Sequence, residues 1–178
     1  LDDSLERLQV DSIDVYNTHG VRRARYEEWV ESHVSKWLLK AKDQGLIKNI
    51  CTSFHDDNDA LRFLVDTGFY ESITLQYNLL DRKLEDGIAY AHEKKVGIVV
   101  MGPVGGGRLG TPNEELAKLV PGVERIPELA LRFVLSNPGV TVALSGMSTM
   151  EQVDENLAVA SDDRAFTDEE RQIVTDQL

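Results

Sequence analysis

Short apolar runs alternate along this chain with longer stretches whose apolar residues recur every three or four positions, the pattern of strands alternating with amphipathic helices. Ile13, Val15 and Tyr16 mark a strand over 12–18, Ile47–Ser53 a second, 72–77 a third, Ile98–Met101 a fourth and Val140–Leu144 a fifth. Ile98–Met101 is apolar without alternation, as in a parallel strand covered on both faces. Residues 2–9 read as the tail of a helix, because Leu1, Leu5 and Leu8 are spaced as one buried face. That pattern opens in mid-helix, so we expect the chain to continue something longer. Tyr26, Trp29, Val30, His33, Val34, Trp37, Leu38 and Ala41 form one face of a helix over 25–44 and place His33 among packed side chains. Gly45 suits the position after that helix, and Gly68 the end of the next, which Asp56 or Asp57 caps and whose face is Leu61, Leu64 and Val65. A helix over 84–95 leads into the fourth strand. Pro127 opens a helix with Leu129, Ala130, Phe133 and Val134 on one face, and Asn137-Pro138-Gly139 turns the chain. Ser148 with Glu151, and Thr167 with Glu170, have capping-box spacing, so two helices close the chain.

The order (α)βαβαβαβαβαα with short connections predicts an α/β fold, a parallel sheet built from right-handed βαβ units. The 178 residues suit one domain over 1–178. Five strands do not close an eight-stranded barrel. Composition adds exclusions. The net charge of −12, with no basic cluster beyond Arg22, Arg23 and Arg25, argues against binding a phosphate backbone, so no nucleic-acid partner is expected. The single cysteine, Cys51, excludes an internal disulfide or a cysteine-based metal centre within these residues and reads as a buried structural thiol. No apolar run reaches membrane-spanning length and no signal peptide is recognised, so a reducing cytoplasm is the default expectation.

Candidate chemistry gathers where the predicted strands end: His19; Thr52-Ser53-Phe54-His55; Gln76-Tyr77-Asn78; Met101-Gly102-Pro103; and Ser145-Gly146-Met147-Ser148. In an α/β barrel the C-terminal strand ends surround one mouth. His19 alone supports two readings, a residue that ends a strand and bonds locally, or a titratable group presented to a ligand. The glycine-rich stretch 102–112 is likewise either a tight connection that needs positive φ or a backbone cradle for a phosphate with Arg108 as counter-charge. The start of the helix after Ser148 offers backbone N–H groups to an anion. Two such sites at one mouth suggest a dinucleotide or phosphorylated ligand. His19, His55, Asp56 and Asp57 lack the spacing of a metal site, and no GxSxG elbow is present.

The segments SLERLQVDSIDVYNTHG, GLIKNICTSFHD, LQYNLLDR, GIVVMGPVGGGRLG and VALSGMSTMEQVDENLAVA together resemble the C-terminal portion of an aldo-keto reductase. FHD, MGPVGGGRL and SGMSTMEQ are most similar to the bacterial and archaeal branch whose members often carry an iron–sulfur module, though no such cysteine cluster stands here. The resemblance implies strands four to eight of a (β/α)8 TIM barrel that reduces aldehydes or ketones with NADP or NAD. It places on His19 the carbonyl-orienting histidine of a catalytic tetrad. The tetrad's tyrosine, lysine and aspartate belong to earlier strands, and neither Tyr16 nor Tyr77 stands in the donor's place.

The resemblance also carries cofactor positions. Ser53 matches a nicotinamide carboxamide contact, although its usual asparagine neighbour is Phe54. Thr74 aligns with a nicotinamide-contacting glutamine, with Gln76 two residues on, and Met101 with a stacking aromatic. Gly102 to Leu109, including Val104, Gly105, Gly106 and Arg108, matches the loop that clasps the pyrophosphate. Gly146, Met147 and Ser148 match the strip beside the adenosine phosphate, and Glu155 and Asn156 the adenine contacts. Gln152 stands where many NADP-specific members have arginine, and a neutral side chain forgoes a charge-assisted bond to a 2′-phosphate. Three readings follow: an NAD(P)H oxidoreductase acting on a small carbonyl substrate; a catalytically inactive truncated barrel that binds a nucleotide or a protein; and self-association through an open sheet edge.

Overall fold

The computed structural model describes residues 1–177 apart from 111, 112, 114, 115, 117, 118, 124, 163 and 165. Thr111 and Pro112, the last two positions of the glycine-rich stretch, thus lie outside the described residues. Five strands, β1 (Ile13–Val21), β2 (Ile47–Phe54), β3 (Ser72–Gln76), β4 (Gly97–Met101) and β5 (Val142–Leu144), pair in sequence order. Every pairing is parallel. Parallel neighbours need a crossover, and helices supply it. They are α1 (Asp2–Leu8); α2, which runs through Arg23–Arg25, Tyr26–Val34 and Ser35–Asp43; α3 (Asn58–Asp66); α4 (Glu85–Glu93); α5 (Ile126–Leu135); α6 (Met150–Ala160) and α7 (Asp168–Gln177).

The two faces of the sheet differ sharply. Ile73, Leu75, Ile98 and Val100 are fully buried and share one core with Leu61, Leu64, Ile88, Leu129 and Phe133 of the helices. The alternate positions Ser72, Thr74, Gln76, Val99 and Met101 are only partly buried. By register, Val15, Asn17, Cys51, Ser53, Val142 and Leu144 lie on that same barer face. It is most open at the outer strands, where Val15, Val142 and Leu144 are 50%, 44% and 51% exposed. This is the expected α/β architecture, a partial barrel seen without the strands that would close it.

Several expectations need correction. β1 continues to Val21, because pairing resumes at Val21 opposite Phe54 after an irregularity beyond Thr18. His19 therefore sits within the irregular end of the strand, just ahead of Gly20 at φ +62°. His33 is exposed and shares a 2.7 Å bond with Ser32 Oγ, so it is not packed. Trp29 and Trp37 are 47% and 60% exposed. Residues Tyr26–Val34 of this helix are π-helical. The covered stripe is narrower than expected: Tyr26, Val30, Leu38 and Ala41 are buried with Val34 partly so, while Trp29, His33 and Trp37 form the adjoining column and stay exposed.

Capping follows the sequence with one shift. Asp57 caps α3 through a 2.9 Å bond from Ala60 N–H. Thr167 and Glu170 form the box that opens α7. The box opening α6 is Thr149 with Gln152, one residue later than Ser148 with Glu151. Glutamine closes such a box as well as glutamate does. Cys51 is a buried free thiol that accepts a 2.9 Å bond from Ser72 Oγ–H, and burial pushes its pKa up.

Candidate functional site

Because all five strands are parallel, their C-terminal ends share one edge of the sheet. Ser53 pairs with Thr74, and one layer further out Gln76 pairs with Met101 and Met101 with Leu144. These side chains rise on the barer face. Gly20 N–H donates to Ser53 Oγ at 2.8 Å, so the strand end that carries His19 is tied to the one that carries Ser53. Thr18 and Thr52 reinforce the tie, Thr52 Oγ1 donating to the Thr18 carbonyl at 3.0 Å and Thr18 Oγ1 to the Cys51 carbonyl at 3.1 Å. His19 itself is exposed, and among the described residues its ring has no side-chain partner.

The glycine-rich loop leaves β4 at the same edge. Gly102, Gly105, Gly106 and Gly107 all have positive φ, from +61° to +91°. A Cβ at Gly106 or Gly107 would meet nothing within 4 Å, so backbone conformation rather than crowding selects glycine there. Gly106, Gly107 and Arg108 are exposed, while Leu109 is buried and anchors the turn. Arg108 Nε donates to the Gly105 carbonyl at 3.2 Å and folds back over the loop. The result is an exposed strip of backbone bare of side chains beside one guanidinium, a surface suited to phosphate oxygens.

Beyond β5, Gly146, Met147 and Ser148 are exposed. The N–H groups at the start of the helix after Ser148, which the sequence offers to an anion, are partly taken up within the chain. Gln152 Oε1 accepts from Ser148 N–H at 2.7 Å and from Thr149 N–H at 3.3 Å, while Thr149 Oγ1 accepts from Gln152 N–H at 3.3 Å. An anion at this helix start must displace a side-chain oxygen. Asn156 Nδ2 donates to Ser145 Oγ at 3.0 Å. Glu155 is paired with Arg125, whose guanidinium holds the Glu155 carboxyl below its ordinary range.

A cleft of about 680 Å3 opens beside the mouth, between the ends of β2 and β3. Arg22, Phe54, His55, Asp56, Lys83 and Leu84 help to line it, and it meets the mouth at Gln76. No motif in the sequence gives Arg22 or Lys83 a role. Arg22 carried a signal, since it follows Gly20 at a strand end. Lys83 carried none, because its place depends on how residues 78–84 turn. Among the described residues no three His, Cys, Asp or Glu side chains gather as a metal ion requires.

A helix-backed parallel sheet whose strand ends and glycine loop converge on one edge defines a β/α-barrel protein with its working end in view. The chain belongs to the aldo/keto reductase family, whose family model matches residues 1–125 and 112–176. It is 27% identical to the uncharacterized oxidoreductase YqkF of Bacillus subtilis, across 94% of this chain and 60% of that protein. It is 26% identical to the NADH-specific methylglyoxal reductase of Escherichia coli, across 87% of this chain and 56% of that protein. The aldo-keto reductase AKR11C1 of Bacillus halodurans, in its holo form, superposes with a TM-score of 0.83 at 28% identity, covering 98% of this chain and 64% of that structure. The chain thus spans about three-fifths of the length of the curated relatives it matches.

Proposed function

We infer that this chain is the strand-four-to-eight portion of an oxidoreductase that interconverts a small carbonyl compound and its alcohol by hydride transfer with NADH or NADPH. The observation that carries the reading is the convergence on one sheet edge of His19, the Ser53–Thr74 and Gln76–Met101 pairs, the positive-φ glycine loop and the start of α6. The bound nicotinamide supplies the hydride. His19, with its ring free, would donate a hydrogen bond to the carbonyl oxygen and stabilise the charge that grows there. Ser53 and Thr74 would hold the nicotinamide carboxamide, with Gln76 beside them, and Met101 would pack on the ring. Gly102, Val104, Gly105, Gly106 and Arg108 would hold the pyrophosphate, and Gly146, Met147 and Ser148 the adenosine side. Glu155 and Asn156 would border the adenine, already braced by Arg125 and Ser145.

The residues present fit a dinucleotide, and Gln152 favours NADH. Its neutral amide is committed to the N–H groups of Ser148 and Thr149 and offers no charge to a 2′-phosphate. The tyrosine, lysine and aspartate that the resemblance assigns to earlier strands have no counterpart in these 178 residues. That keeps a second reading in play, a module that binds nucleotide without turnover. Titrating the chain with NADH and NADPH, followed by nicotinamide fluorescence, and assaying an aldehyde and ketone panel separates the two. Binding with turnover supports the enzyme, and binding without turnover supports the module. Absence of binding overturns both. We place the protein in the cytoplasm, in keeping with its buried free thiol and with described helices too short or polar to cross a membrane. Self-association through the outer strands is part of the same proposal.

A further inference from the structure

We propose that Asn78 is a positioning residue for the dinucleotide, holding the start of the glycine-rich loop from the neighbouring strand; this rests on reading that loop as the clasp for the phosphates. Asn78 stands two residues beyond β3 and is fully buried, a rare place for a side-chain amide unless every bond is satisfied. Its Oδ1 accepts from Leu80 N–H and from Asp81 N–H, both at 3.0 Å. Its Nδ2 donates to the Gly102 carbonyl at 3.0 Å. Two donors on Oδ1 decide the orientation of the amide, since a flipped group would set N–H against N–H. The backbone adds two 3.1 Å bonds exchanged between Asn78 and Asp81, so the turn that carries the amide is itself held.

The Gly102 carbonyl accepts a second bond, from Gly105 N–H at 2.9 Å. One oxygen therefore ends β4, closes the first glycine turn and receives the link from β3. The Gly105 bond alone would close the turn. The Asn78 bond does something else: it fixes the direction in which the loop leaves the sheet, relative to Gln76 on the strand that Asn78 extends. Tyr77 braces the same strand end from its other side, its hydroxyl donating to Glu85 at 2.7 Å and accepting from Asn137 Nδ2 at 3.3 Å. A loop with four glycines at positive φ has much freedom to lose on binding a ligand. A buried tether that removes part of that freedom beforehand lowers the ordering cost of binding.

The test uses the full chain. Asn78→Asp keeps an acceptor for Leu80 and Asp81 and, while ionised, sets an oxygen against the Gly102 carbonyl, so the link between strands is lost and a charge is buried; the affinities are measured well above the carboxylate range to keep it ionised. NADH and ADP affinities are measured beside amide hydrogen exchange, with Val30→Ala, a fully buried core position on α2, as a control for general destabilisation. We expect Asn78→Asp to raise the Kd for both ligands about tenfold. Exchange should quicken at Gly105 and Gly107 while Ile98 and Val100 stay protected, and Val30→Ala should do neither. Unchanged affinity and loop exchange in the folded variant overturn the proposal, as does an equal loss in Val30→Ala. If Asn78→Asp does not fold, Asn78→Ser, whose hydroxyl can still cap the turn, gives the same comparison. If the unsubstituted chain binds neither NADH nor ADP, the cofactor reading fails, and loop exchange alone then decides whether Asn78 governs the loop.

Discussion

Gln152 does two things at once: it closes the capping box of α6 and occupies the carbonyl-side approach to the N–H groups of Ser148 and Thr149. Replacing it with a longer cation would give up the box and place a guanidinium at the helix start. Gln152→Arg should therefore improve NADPH affinity relative to NADH by about tenfold, the scale of one charge-assisted bond. It should also lower stability by about 1 kcal/mol through the lost cap. Paired titrations of the two dinucleotides, with a melting curve for each variant, check both effects. Cys51 gives a second residue-scale expectation. Burial raises its thiol pKa, so the reactive thiolate is scarce and enclosed. Iodoacetamide should label it slowly in the native chain and fully after denaturation, as read by mass spectrometry. Fast native labelling would place the thiol at the surface.

These residues mark how far the sequence could be read. Strand ends were legible because polar and glycine residues interrupt apolar runs, which put Ser53, Gly102 and Gly146 on one edge before any geometry was known. What a side chain bonds to was not legible. The sequence offered the N–H groups at the start of the helix after Ser148 to an anion, whereas the structure gives those of Ser148 and Thr149 to Gln152. Asn78 read only as a polar strand end, because its partner Gly102 lies 24 residues away and meets it only after β3 and β4 pair.

At the scale of elements, α2 and α7 show opposite outcomes. On α2 the covered stripe runs through Tyr26, Val30, Leu38 and Ala41, and His33, Trp29 and Trp37 stand outside it. Periodicity alone does not set how wide a stripe is covered, because that depends on which elements pack against the helix. α7 was legible from Thr167 and Glu170, and its chemistry makes a pH prediction. Burial raises the Glu170 pKa, but the Thr167 N–H at 2.8 Å and Arg164 at 2.5 Å outweigh burial and leave it lowered. A carboxyl with a lowered folded pKa stabilises the fold above its unfolded value, near 4.5, and loses that contribution as pH falls through the folded pKa. Glu170→Gln should lower stability near neutral pH by about 1 kcal/mol, a figure kept small because Arg164 is partly exposed. Its melting temperature should also fall less steeply below pH 5. A parallel acid response in both proteins would remove Glu170 from the account.

For the whole molecule, the contrast between the two sheet faces governs behaviour in solution. The helix-covered face is closed, with Ile73, Leu75, Ile98 and Val100 fully buried. The other face ends at β1 and β5, whose outer edges pair with no strand among the described residues and where Val15, Val142 and Leu144 are about half exposed. An unpaired edge strand is a template for another chain, and exposed aliphatic side chains add a driving force that the net charge of −12 opposes. The two effects respond differently to salt. Screening weakens repulsion between chains while leaving apolar contact intact, so added salt should promote association. Leu144→Lys places a charge on the barer face of the β5 edge, and desolvating it in a contact between chains is costly. It should raise the dissociation constant of any self-association about tenfold without lowering the melting temperature. Sedimentation velocity at low and high salt measures both. A monomer at every concentration and salt level would show that the open edges are not used between copies of this chain. Association that Leu144→Lys leaves unchanged would move the contact to the other edge, at β1, where Val15→Lys makes the same test.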